Sequence, residues 1–158
     1  MREYLTFPDQ ALFGPLGLER AVLETDSSGT FVGSSFMYAT ARDWARFGAL
    51  YLHDGLCEQR RILPEGWVAY STTQTPQAPD ACYGAHLWLK VPREFRTADQ
   101  EARALPPAWH AVGYEGQFIS IVPSHQLVVV RLGLTRRLGA WDHETFLRAI
   151  LLAVPSRS

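Results

Sequence analysis

The chain has 158 residues, 47% of them apolar and 20% charged, with a formal net charge of −1. That size and apolar share suffice for one domain with a sizeable core. A near-zero net charge offers no broad attraction to nucleic acid or an anionic membrane surface, and no apolar run is long enough to cross a bilayer.

The opening residues, Met1-Arg2-Glu3-Tyr4, mix charges where a signal peptide would be basic and then apolar. A chain that truly starts at Met1 is therefore expected to stay in the cytosol. Residues 9–19, DQALFGPLGLE, read as a helix end closed by Gly14-Pro15 and Gly17. Residues 25–35 have loop composition. Residues 40–55 give the clearest helix signal. Thr40 is placed as N-cap with Asp43 three residues on, Trp44, Phe47, Leu50 and Tyr51 recur at helical spacing, and Asp54-Gly55 ends the run. A second, shorter helix is expected over 64–73, with Pro64 in its first turn. Cys57 and Cys82 lack zinc or CxxC spacing and read as two small buried apolar residues.

Residues 83–91, YGAHLWLKV, read as a strand, and 92–107 as a charged, proline-bounded excursion. Residues 109–123 read as extended, and 126–135 as a β-branched strand, joined by a turn at Pro123-Ser124-His125-Gln126. An amphipathic helix over 141–154 would cover one face of that hairpin. Helices first, then about three antiparallel strands, then a covering helix make an α+β chain. Three strands make a thin sheet, so self-association through an exposed sheet edge is expected.

Conventional site signatures are absent. Gly33-Ser34-Ser35-Phe36-Met37 lacks the second glycine of GxSxG, and neither a phosphate-cradling GxxxxGK[ST] nor GxGxxG occurs. His53, His86, His110, His125 and His143 have no metal-ligand spacing, so no metal and no cofactor are expected, and they read as ordinary surface or core histidines. Asp142-His143-Glu144 reads as helix-start electrostatics.

One stretch resists a purely structural reading. HAVGYEGQFISIVPS, residues 110–124, breaks an apolar run with Gly113 and Gly116 around Glu115, then alternates Phe118, Ser120 and Val122 against Ile119 and Ile121. The plain alternative is a bulge or bend, with the glycines there for shape alone. Taken in order with GSSFMYATARDWARFGALYL, ILPEGWV, YGAHLWL and LVVVRLG, however, the stretch resembles the C-terminal half of the serine β-lactamase-like hydrolases, from about Leu12 to Val154. That superfamily includes class C β-lactamases, DD-peptidases, family VIII esterases and 6-aminohexanoate-dimer hydrolase.

The resemblance implies a β-lactamase/transpeptidase-like fold and three site motifs: Ser-x-x-Lys, Tyr-x-Asn, and Lys-Thr-Gly or His-x-Gly on a strand edging the cleft. Gly113-Tyr114-Glu115-Gly116-Gln117 is similar to the third. On that mapping Tyr114 takes the Lys or His position, Glu115 the middle one and Gly116 the glycine, so Gly113, Tyr114, Glu115 and Gly116 would line the substrate. A bare Gly116 would admit substrate to the strand edge. Gln117 would offer its backbone N–H as an oxyanion donor, where developing negative charge needs preorganised partners.

Tyr114 keeps a hydroxyl donor but brings no positive charge at neutral pH, which shifts the expected small-molecule substrate from β-lactam toward an ester or amide. The nucleophile motif is missing: Lys90 is the only lysine, and Leu87 stands three before it. Tyr38-Ala39-Thr40 is rejected as a Tyr-x-Asn variant, because Thr40 reads as a helix cap. Residues 1–158 are therefore expected to be the C-terminal portion of a single β-lactamase-like domain in a longer serine hydrolase, inactive alone. The alternative is a non-catalytic binding or regulatory remnant of the same fold.

Overall fold

The computed structural model describes residues 2–96, 105–137, 139–154 and 156. The chain opens on helix α1 (Arg2–Pro8), a π-helical turn (Asp9–Phe13) and α2 (Gly14–Leu16), closed by Gly17 in the left-handed region at φ 64°. Gly17 is the stop expected there, and Phe13, Leu16 and Leu18 are buried with Leu50 in one cluster. Strands β1 (Val22–Leu23) and β2 (Met37–Tyr38) pair antiparallel around the loop at 25–35. Two-residue strands carry no alternation, which is why the sequence shows only the loop.

Helix α3 (Ala41–Leu52) starts on a reciprocal cap. Thr40 Oγ1 accepts from the Asp43 N–H at 3.2 Å, and Asp43 Oδ2 accepts from the Thr40 N–H at 3.2 Å. It runs into Asp54 (φ 50°) and Gly55 (φ 80°), the stop expected from Asp-Gly. A second small hairpin follows, β3 (Leu56–Cys57) with β4 (Arg60–Arg61). Its turn puts Glu58 and Gln59 at positive φ, a conformation that composition does not announce. Cys57 and Cys82 are free thiols and only half-buried, less enclosed than expected.

Two expected elements shrink. The helix expected over 64–73 is α4 (Trp67–Ser71), five residues long, because Gly66 turns left-handed at φ 79° before it. The strand expected over 83–91 does not form. His86 sits at φ 66°, and Gly84 packs so tightly that a Cβ there would lie 2.2 Å from the Ser71 carbonyl oxygen. What remains is two isolated bridges, Tyr83 to Trp88 and Trp88 to His110, the latter with hydrogen bonds of 2.8 Å in both directions. Half of the expected excursion at 92–107, residues 97–104, lies outside the described residues.

The principal sheet has three antiparallel strands in the order β5 (Trp109–Gly113), β6 (Gln117–Val122), β7 (Leu127–Arg131). The segment read as one extended run over 109–123 is thus two strands and a turn. Gln126, left-handed at φ 48°, closes the second connection at Pro123–His125, as expected. Alternation on β6 assigns the layers. Ile119 and Ile121 join Tyr51, Val68 and Leu87, with Trp44, Phe47 and Val128 packed against them, on the α3 face. Val122 joins Ala108, Val129 and Leu147 on the other, beneath helix α5 (His143–Ala153). Gly48 lets α3 come close to the sheet, since a Cβ there would lie 2.5 Å from Val128 Cγ1. Helix α5 begins at Asp142, whose Oδ1 accepts from the Thr145 N–H at 2.8 Å, the helix-start role expected of that acid.

Candidate functional site

The stretch Gly113-Tyr114-Glu115-Gly116-Gln117 is the tip of the β5–β6 hairpin, with Gly113 opposite Gln117. Glu115 and Gly116 both take positive φ, 53° and 78°. Gly116 is buried, and a Cβ on it would stand 3.1 Å from Phe95 Cε1 and 3.3 Å from Arg131 Nη1. Its backbone conformation and these neighbours both call for glycine. Gly113 has no positive φ, and a Cβ there would meet Gln117 Cβ at an ordinary 3.4 Å.

Tyr114 stands out from the turn, 78% exposed. Gln117 is half-buried and donates from Nε2 to the Tyr114 carbonyl at 3.2 Å. The Glu115 side chain is mostly covered, 3.9 Å from the exposed guanidinium of Arg136. Its carbonyl accepts from the Thr135 N–H at 2.9 Å. Arg131, at the end of β7, donates from Nη1 to the Gly116 carbonyl and from Nη2 to Thr135 Oγ1 at 2.8 Å. All five site residues expected from the sequence thus share one tight turn, held from behind by Arg131 and Thr135.

Beneath the turn lies an arrangement that sequence reasoning missed. Ser120 Oγ is 2.8 Å from His110 Nδ1 and 2.8 Å from His143 Nε2. All three residues are at most 2% exposed, and the His143 ring stacks on Phe118 at 3.6 Å. Burial pushes the His110 imidazole down to about 4. Burial, with help from His110 and Arg131, pushes His143 down to about 3. The atoms match a serine nucleophile beside its base, but a hydroxyl sealed between two rings cannot meet a substrate. The signal for it was a lone serine on the Phe118–Ser120–Val122 face, the face a covering helix would bury.

An open cavity of about 530 Å³ lies elsewhere, at the start of α3, where Arg20, Arg42 and Arg46 surround Asp43. It shares no residue with the turn. Among the described residues no group of His, Cys, Asp and Glu is placed to hold a metal ion.

No protein-family model matches the chain. An uncharacterized protein of Alkalihalophilus pseudofirmus is 29% identical over 98 residues, which cover 60% of this chain and 29% of that protein. Two solved structures resemble the fold over nearly the whole chain. One, assigned as a 6-aminohexanoate-dimer hydrolase of Bacillus anthracis, has a TM-score of 0.72 at 22% identity and covers 94% of this chain and 37% of that one. The other, assigned as a β-lactamase of Bacteroides dorei, has a TM-score of 0.60 at 17% identity and covers 92% of this chain and 50% of that one. The chain therefore has a partial β-lactamase-like fold, spanning between a third and a half of each solved protein.

Proposed function

We propose that this chain forms one wall, the C-terminal portion, of a β-lactamase-related serine hydrolase that cleaves amide or ester bonds through an acyl-enzyme. The observation that carries this is a fold shared over 94% of the chain with a larger protein assigned as a hydrolase, in 158 residues with no Ser-x-x-Lys. The nucleophile and its lysine base would come from outside these residues. The Gln117 N–H would stabilise the oxyanion, and Gly113, Tyr114, Glu115 and Gly116 would line the substrate, with Tyr114 offering a neutral hydroxyl where relatives carry a cation. Ser120, with its imidazole partners in the core, does not rival this reading, since it is sealed from solvent.

The purified chain, incubated with nitrocefin and with p-nitrophenyl esters, is expected to give no turnover and no covalent labelling of serine by a fluorophosphonate. Turnover with a labelled serine in this chain alone would overturn the reading. In-frame Ser-x-x-Lys coding sequence upstream of Met1 would support it, whereas unrelated sequence behind a stop codon there would favour a non-catalytic remnant.

A further inference from the structure

The hydrogen-bond chain behind the turn has only one direction. The Arg131 guanidinium that holds Gly116 lies 4.0 Å over the Trp141 ring. Trp141 donates its Nε1–H to His143 Nδ1 at 3.3 Å. An indole nitrogen only donates, so His143 Nδ1 must present a lone pair, and a neutral His143 carries its proton on Nε2. That proton faces Ser120 Oγ, and the Ser120 hydroxyl is then free to donate to His110 Nδ1. A proton on His143 Nδ1 would set two N–H groups against each other and displace the indole beneath the guanidinium.

We propose that Arg131 is a positioning residue for the 113–117 turn, and that Trp141, His143, Ser120 and His110 fix where its guanidinium sits. The importance of that position to catalysis rests on the reading above, in which the turn supplies the oxyanion donor. The positioning itself does not. The buried serine and histidines then have a role although no substrate reaches them: they orient an indole, the indole carries an arginine, and the arginine clamps the Gly116 carbonyl. Thr135 closes the clamp through the Glu115 carbonyl.

The test is nuclear magnetic resonance on the whole chain, with two readouts that need no turnover. Nitrogen shifts should show His143 as the Nε2–H tautomer at neutral pH. The Thr135 amide, bonded to Glu115, should be protected from hydrogen exchange. Arg131→Lys keeps the charge but loses the fork, and should speed Thr135 exchange at least about fivefold while the His143 tautomer stays. Trp141→Phe keeps a ring but removes the donor, and should both speed Thr135 exchange and let the His143 proton spread onto Nδ1. The His53 amide, bonded to Ala49 at the end of α3, serves as control. Its exchange should hold steady, because general loosening would move it too.

An Nδ1–H tautomer in the unmodified chain would overturn the proposal, as would unchanged Thr135 exchange in both variants. Exchange that rises equally at His53 and Thr135 would also count against it. The tautomer reading stands even where a variant fails to fold. Failure of the hydrolase reading would appear in the turnover and labelling assays or in the upstream coding sequence, and in neither of these two readouts.

Discussion

Gly116 combines two demands that a side chain cannot meet together: a φ of 78° and a Cβ position already crowded by Phe95 and Arg131. Gly116→Ala is expected to destabilise the chain by about 1–3 kcal/mol, read as a lowered urea midpoint at unchanged slope. Gly113→Ala, at ordinary φ with only Gln117 Cβ at 3.4 Å, should cost much less and serves as the internal contrast. Two glycines around an acid announced a special backbone here. Whether they marked a bulge or a turn was not legible, because a three-residue connection and a kinked strand use the same residue types. The role of Ser120 was hidden for another reason. Its partners lie 10 and 23 positions away in sequence, and spacing cannot reveal who meets across a sheet.

At the scale of elements, α3 was the most legible part of the chain, since its cap, apolar face and stop are all written locally in Thr40, Asp43, Phe47, Leu50 and Gly55. Its seat on the sheet was not, because Gly48 inside a helix reads as a weakness worth about 1 kcal/mol relative to alanine. Packing reverses that preference. A methyl at Gly48 would fall 2.5 Å from Val128 Cγ1, and overpacking of this kind costs about 1–3 kcal/mol. Gly48→Ala should therefore lower stability despite better helix propensity, by chemical denaturation, and Val128→Ala in the same chain should recover part of the loss. The failed strand at 83–91 is the converse case. Leu87, Trp88 and Val91 have the right composition for a strand, but the close pack of Gly84 on Ser71 and the left-handed His86 leave a single bridge to His110.

For the molecule as a whole, pH acts through the two sealed imidazoles. In the unfolded chain both titrate near 6.5, whereas in the folded chain burial holds His110 down to about 4 and His143 to about 3. The charged and titratable groups around them are Arg131, which deepens the depression of His143, and Asp142, which opposes it, beside the histidines themselves. Below about pH 6.5 the unfolded chain binds protons that the folded chain refuses, so stability falls as pH falls. The loss approaches about 1.4 kcal/mol per pH unit for each histidine, until the folded values are reached. Stability that stays flat from about pH 7 to about pH 5 in urea titrations would contradict this. The α+β class and the likeness to a larger hydrolase fold were legible in the order of five segments. The partition of the sheet was not, because strand pairing is decided by contacts between distant residues.

Strand β6 places Ile119 and Ile121 in one cluster and Phe118, Ser120 and Val122 against the opposite layer, so the two sides of the sheet share a single backbone. Leu63 links the first of these clusters to the amino-terminal one around Phe13 and Leu50. Neither helical layer can therefore release its side of β6 without exposing apolar side chains that face the other when the strand itself opens. That one shared strand ties the layers into a single cooperative unit, whose parts open together rather than in turn.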